Sequence, residues 1–188
     1  MSIKQTSRTG KTYYLHEQLS AAGTRRYFFS TDPDGQRASA IPEGYEVYEN
    51  VGGQVFLRKI PPQIVRAEEL DLVKATLRQH GEPWRYQTEL KRNTITVYEA
   101  GDMSGLDRLA RDWGQSPLSE DYKRKFAAYM AVMRFALVDK TSRAFVTERF
   151  CFRGSIDDWI HVGGPGALAA QVRKFVKHLG RESFYELF

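Results

Sequence analysis

The sequence predicts an α+β fold in which an antiparallel-dominated β-sheet of hairpins carries about three helices. Short segments rich in aromatic and β-branched residues recur along the 188-residue chain, and turn residues separate them. Most of these segments come in neighbouring pairs, which is typical of hairpins rather than of alternating βαβ units. Fewer and longer segments have the apolar spacing of amphipathic helices.

The strands are assigned from alternating apolar residues and from the turns between them. Asn50 to Gly53 is a hairpin loop, and the Pro61-Pro62 pair ends a strand because proline donates no ladder hydrogen bond. The predicted strands are 12–16 with 25–30, 45–49 with 55–57, 85–89 with 94–99, 126–138 with 143–152, and 155–162.

Segment 126–138 is apolar on both faces. Its valine and aromatic residues, and the turn after it, favour a long central strand, whereas its alanine and methionine residues leave a buried helix as the alternative.

Three helices are expected. Ala67 to His80 has an apolar stripe and two glutamates in its first turn, where their negative charge interacts favourably with the helix dipole. The other two cover 104–113 and the segment from the glycines at 163–166 to Leu179. We expect one domain over 1–188. The alternative is two subdomains, 1–114 and 115–188, because the stretch after Gly114 lacks periodicity.

Composition excludes several classes of protein. Cys151 is the only cysteine, so neither an intramolecular disulfide nor a cysteine-rich zinc site is expected. The N-terminal segment lacks the apolar core of a signal peptide, and no apolar run is long enough to span a membrane. We therefore expect a cytoplasmic protein that needs no cofactor or metal to fold.

The net charge of +5 is unevenly distributed along the chain. Residues 1–30 carry five basic and one acidic side chain, and residues 123–188 carry twelve basic and six acidic ones. The segment between them carries eleven basic and sixteen acidic side chains. If the two basic ends lie together, they form a positive surface suited to a polyanion. The alternative is that the basic ends contact the acidic middle or are simply solvated.

The sharpest motif is Gly163-Gly164-Pro165-Gly166, which follows a predicted strand and opens a predicted helix. Free N–H groups at a helix start suit a phosphate, but a dinucleotide fold needs a further parallel strand after the helix. Only eight residues follow Gly180, and Pro165 lacks an N–H. The interpretation favoured here is a tight turn with proline at the helix start.

An acidic cluster offers a catalytic hypothesis. Glu148, Asp157 and Asp158, with His161 nearby, are candidates for holding Mg²⁺ in phosphoryl transfer. Successive strand residues point to opposite faces, however, so Asp157 and Asp158 cannot both face one site. These carboxylates are weak catalytic candidates, and no metal site is assigned.

Basic and aromatic residues alternate in three strand segments. Exposed rings beside arginines stack bases while the cations meet phosphates. The candidate nucleic-acid-binding residues are Arg25, Arg26, Arg143, Arg149 and Arg153. The alternative is that the alternating rings line the core, as they more often do in strands.

The segments RYFFS, IPEGYEVYEN and GQVFLRK, together with the ending FRGSIDDWI and HLGRESFYELF, resemble uncharacterised bacterial proteins of unknown function. The resemblance extends over most of the chain. It implies no chemistry and no site residues.

The favoured function is a non-enzymatic binding protein with a basic, aromatic β surface for nucleic acid or an acidic protein partner. One alternative is a metal-dependent phosphoryl-transfer enzyme or nuclease that uses the acidic cluster. The other is a subunit of a protein complex whose apolar end, Phe184 to Phe188, is an interface.

Overall fold

The computed structural model describes residues 3–62, 64–153 and 156–187, without the side chains at 153 and 156. It confirms an α+β fold with antiparallel sheets. The chain divides into two compact units. The first contains residues 1–61 and 124–126, and the second contains residues 62–123 and 127–188. The position 114/115, the alternative subdomain boundary given above, lies inside the second unit.

The first unit consists of a three-stranded antiparallel sheet and a separate hairpin. The sheet has the order β1-β2-β3, and strand β3 packs against β5 of the hairpin. Gly53 has φ +77 in the hairpin loop, and a Cβ there would lie 2.6 Å from a methyl carbon of Thr9. The strands are β1 Lys4–Thr6, β2 Thr12–Leu19, β3 Arg25–Ser30, β4 Tyr45–Glu49 and β5 Val55–Lys59.

The second unit contains a five-stranded antiparallel sheet with the order β10-β9-β8-β7-β6. Its middle strand, β8, covers most of the segment 126–138, for which the sequence allows either a strand or a buried helix. Met133, Phe135 and Leu137 are buried on one face of β8, which is the period of a strand. The strands are β6 Tyr86–Lys91, β7 Thr94–Ala100, β8 Tyr129–Asp139, β9 Ala144–Arg153 and β10 Ile156–Ala167.

Four α-helices occur in the described residues, one more than expected from sequence. They are α1 Ala67–His80, α2 Ser104–Asp112, α3 Glu120–Phe126 and α4 Leu168–Phe175. The unexpected helix is α3, which has only seven residues and little apolar periodicity. Local signals support it, because the Ser119 side chain accepts a hydrogen bond from the Tyr122 N–H and two acids occupy the first turn.

Helices α1 and α4 pack together, and α4 lies on β9 and β10. Their apolar stripes and one face of the sheet form the core of the second unit, which includes Val73, Phe135, Phe145 and Phe175. Burying one such side chain contributes about 1.5–3 kcal/mol. Near the end of the chain, Phe184 is buried in this core and Leu187 packs beside it.

The glycine segment does not form the expected tight turn. Strand β10 continues through it to Ala167 with register shifts, and α4 begins only at Leu168. A Cβ on Gly163 would lie 2.6 Å from the ring of Phe175, so this glycine lets the helix approach the strand. Gln171 donates to the Gly164 carbonyl at 2.7 Å, which joins α4 to the segment.

Within the described part of the chain, no helix is both long and apolar enough to cross a membrane.

Candidate nucleic-acid interface

The register of the first sheet separates its two faces. Tyr14 lies opposite Ser30, His16 opposite Phe28, and Gln18 opposite Arg26. Cross-strand partners share a face, so these side chains lie together. Lys4 and Arg37 join them as the partners of Tyr14 and His16. We call this surface the basic aromatic face, and it consists of Lys4, Tyr14, His16, Arg26, Phe28 and Arg37.

Two ring contacts organise the basic aromatic face. Phe28 is 44% exposed and stacks on His16, with 5.5 Å between ring centroids and 17° between planes. The Arg37 guanidinium lies 4.6 Å from the centroid of the Tyr14 ring. His16 is buried, and its Nε2 lies 3.0 Å from the Asp32 carbonyl oxygen. The rings are therefore held in place by neighbours, while Phe28 stays accessible.

Arg25 and Arg26 are adjacent in sequence but lie on opposite faces. Arg25 lies opposite Leu19, and its guanidinium is 3.7 Å from the Glu17 carboxylate. Arg26 is exposed beside Phe28, and its guanidinium has no hydrogen-bond or ion-pair partner among the described residues. Of these two arginines, only Arg26 belongs to the basic aromatic face.

Most of the net charge belongs to the first unit. Its segments, 1–61 and 124–126, carry ten basic and six acidic side chains, a net charge of +4. The rest of the chain carries eighteen basic and seventeen acidic side chains, a net charge of +1. The positive charge of the C-terminal segment is therefore balanced within the second unit by the acidic middle of the chain.

Two of the other candidate arginines stabilise the second unit. Arg143 donates through Nε to Glu69 at 2.9 Å and through a terminal nitrogen to the Ile64 carbonyl at 3.2 Å. Burial raises the pKa of the Glu69 carboxyl, but hydrogen bonds from the Arg143 guanidinium and the Arg66 N–H outweigh it and hold that pKa below its usual value. This pair ties the turn before β9 to the start of α1.

Arg149 is 3% exposed, so its guanidinium is not available to a phosphate. It donates to the carbonyl oxygens of Leu187 at 2.9 Å and Tyr185 at 3.2 Å. It therefore fastens the chain end. The side chain of Arg153 lies outside the described residues.

The acidic candidates lie at different places along β9 and β10. Glu148 is opposite His161, Asp157 opposite Phe152, and Asp158 opposite Cys151. Asp158 accepts a hydrogen bond from the Trp159 N–H at 2.7 Å. In residues 3–62, 64–153 and 156–187, no group of three or more His, Cys, Asp or Glu side chains is placed to hold a metal ion.

The structure brings Glu148 and His161 together, with 3.4 Å between the Glu148 Oε1 and the His161 Nε2. Arg134 of β8 donates through Nε to the other oxygen of the same carboxylate. Sequence reasoning noticed Glu148 and His161 but missed Arg134, because their meeting depends on the register of three strands.

A cleft of about 890 Å³ in the second unit was also missed by sequence reasoning. Charged pairs line it, including Arg85 with Glu99 at 2.8 Å and Lys123 with Asp107 at 2.8 Å. Burial, together with the neighbouring Glu99 carboxylate, raises the pKa of Tyr86 beside the cleft to about 12. The cleft lining carries more acidic than basic side chains, which does not favour a polyanion.

Comparisons with models of protein families, with curated proteins and with solved structures found no match to this chain. The resemblance to uncharacterised bacterial proteins therefore stays a prediction.

Proposed function

We propose that the chain is a non-enzymatic binding protein whose basic aromatic face binds single-stranded nucleic acid. The observation that carries the proposal is the pairing of an exposed ring with an unpaired cation on one strand, at Phe28 and Arg26. A base stacks on an aromatic ring while a neighbouring cation contacts the phosphate.

The chemistry of the face suits a single strand better than a duplex. Bases must be unstacked to reach a ring on a sheet, which a single strand permits at little cost. Each base stacked on an aromatic side chain contributes about 1–3 kcal/mol. His16 lies behind Phe28 as a second ring, so the exposed ring is already fixed before a base arrives.

The charge distribution supports the same ligand class. The first unit has a net charge of +4, and the face carries Lys4, Arg26 and Arg37. Cations that neutralise phosphates release counterions, so binding must weaken as salt rises. A cytoplasmic location belongs to this proposal, since a free and buried Cys151 suits a reducing compartment.

The test is a fluorescence-anisotropy titration with labelled dT12 and U12 at several salt concentrations. We expect measurable binding at low salt, and a slope of log affinity against log salt that becomes shallower by about 0.7 in Arg26→Gln, as expected for one lost phosphate contact on a single strand. Phe28→Ala should weaken binding by about tenfold or more with little change in slope, because stacking a base on a ring neutralises no phosphate and releases no counterion.

Arg25→Gln is the matched control. It removes the same charge one residue away, but from the opposite face. An equal loss in Arg25→Gln and Arg26→Gln would reduce the effect to net charge and contradict a site on this face. If neither oligonucleotide binds at low salt, the proposal is wrong. Binding of a poly-glutamate peptide instead would show an acidic protein to be the partner.

A further inference from the structure

A second group of charged and aromatic side chains lies on the sheet of the second unit, on the face opposite α1 and α4. The register places Arg134 opposite Glu148 and Glu148 opposite His161, on three consecutive strands. Trp159 lies two residues before His161 on the edge strand β10. Alternation along β10 therefore puts Trp159 and His161 on the same face.

Arg134 is held in a fixed orientation by two neighbours. Its Nε donates to Glu148, and its guanidinium carbon lies 4.4 Å from the ring centroid of Trp159. Within the described part of the chain, the terminal nitrogens of Arg134 have no hydrogen-bond partner, and the side chain is 32% exposed. These nitrogens can donate two parallel hydrogen bonds to the oxygens of a phosphate, the usual bidentate geometry of arginine.

In its imidazolium form His161 supplies a second donor beside Arg134, because Nε2 faces Glu148 and the Nδ1–H is left for an anion. Its side chain is 71% exposed, whereas that of Glu148 is 9% exposed. The carboxylate thus lies beneath the imidazole and the guanidinium and holds both at the surface. A carboxylate bonded on one side turns the opposite edge of each group outward, where an anion can bridge them.

The aromatic neighbours give this site a second property. Trp159 meets Phe150 edge to face at 5.3 Å, and Phe150 lies 4.7 Å from Phe152, which is 49% exposed. Bases stack on such rings and on arginine guanidinium planes. A phosphate site beside aromatic rings fits a nucleotide better than it fits inorganic phosphate alone.

We propose that Arg134, His161 and Trp159 form a second binding site, which takes the phosphate and base of a nucleotide. Arg134 and His161 bind the phosphate. The base stacks on the Trp159 ring and on the plane of the Arg134 guanidinium beside it. Glu148 is a positioning residue that orients the two donors. The site shares no residue with the basic aromatic face, so it does not depend on the function proposed above.

Asp157 sets a limit on the affinity of this site. It lies two residues before Trp159 on the same face of β10 and is exposed. Its carboxylate repels a phosphate bound near the rings, although water screens much of that repulsion. Removing this charge by Asp157→Asn should therefore tighten phosphate binding about twofold.

The test titrates the whole chain with AMP, inorganic phosphate and dT12 by calorimetry, and follows the Trp159 indole and His161 ring signals by NMR. We expect AMP to bind more tightly than inorganic phosphate and to shift both signals. Arg134→Lys should weaken AMP binding by on the order of tenfold because lysine lacks the fork, and His161→Asn should weaken it by a smaller factor.

Lys91→Gln is the matched control, since it removes a cation from the same face of the sheet at the far edge strand. AMP binding that is lost in Arg134→Lys but kept in Lys91→Gln and Phe28→Ala supports the site. If dT12 but not AMP needs Arg134, the nucleotide is one within a strand, and the site is still supported.

Two outcomes overturn the proposal. The first is that neither AMP nor dT12 shifts the Trp159 or His161 signals of the wild-type chain, a measurement that no folding defect of a variant affects. The second is equal binding by Arg134→Lys, His161→Asn and the wild type. Loss of dT12 binding in Phe28→Ala with AMP binding intact would leave both sites supported, whereas loss of both ligands in Phe28→Ala would assign AMP to the basic aromatic face and reject this site alone.

Discussion

Replacing Arg149 by methionine should destabilise the second unit and release the chain end without changing nucleic-acid affinity. Arg149 is 3% exposed, and its guanidinium donates to the carbonyl oxygens of Tyr185 and Leu187. The central carbon of the Arg149 guanidinium also lies 5.9 Å from the ring centroid of Phe184. Methionine keeps much of the apolar stem but removes the charge and its donors.

The expected loss is about 3 kcal/mol in the free energy of unfolding. A hydrogen bond from a charged group contributes about 1.5–3 kcal/mol, and the two to the described carbonyl oxygens of Leu187 and Tyr185 are lost. The full sum is not expected, because Tyr185 is exposed and its carbonyl can bind water once the chain end lifts. With a typical slope of about 2 kcal/mol per M in urea, the midpoint falls by about 1.5 M.

Urea unfolding followed by circular dichroism measures this loss, and limited proteolysis measures release of the chain end. Arg173→Gln is the control, because Arg173 is exposed on α4 and its loss should change stability by no more than about 0.5 kcal/mol. A midpoint within error of the wild type would refute the structural role. Unchanged stability together with weaker oligonucleotide binding would indicate that Arg149 contacts nucleic acid.

Two further substitutions test the packing and the ion pairs of the second unit. Gly163→Ala should lower the free energy of unfolding by about 1–3 kcal/mol because its methyl group overlaps Phe175, whereas Gly164→Ala, with open space around it, should be nearly neutral in the same thermal melt. Glu69→Gln should destabilise the chain at neutral pH, where the carboxylate binds Arg143. Because the folded-state pKa of Glu69 is lowered, this stability is present above the unfolded-state pKa and lost as pH falls through the folded-state value, so the two proteins should converge in acid. A difference that persists at low pH, or equal effects of the two glycine substitutions, would contradict the assigned contacts.

Local sequence patterns predicted most of the secondary structure. Helix α1 begins and ends where its apolar stripe and acidic first turn indicated, at Ala67 and His80. Patterning was insufficient in three places. Strand β1, Lys4–Thr6, was not among the predicted strands. Helix α3 is too short and too polar for a period to be visible, and the glycine segment continues β10 because α4 packs against it at Gly163.

The candidate sites depended on pairing register, which sequence does not specify. Alternation along a strand already puts Arg25 and Arg26 on opposite faces, but only the register of β2 with β3 shows that Arg26 shares its face with Tyr14 and His16. Arg134, Glu148 and His161 come from three strands and meet only because those strands align. Long-range contacts of this kind leave little local signal in any one segment.

The sequence by itself determined the α+β class, most of the strands and three of the helices, because these follow from periodicity and turn chemistry over a few residues. Tertiary structure decided which cations are accessible. It buried Arg149 under the chain end, paired Arg143 with Glu69, and left Arg26 beside an exposed ring. The physical reason is that an arginine contributes to binding only where its donors face solvent, and the whole fold sets what each guanidinium meets.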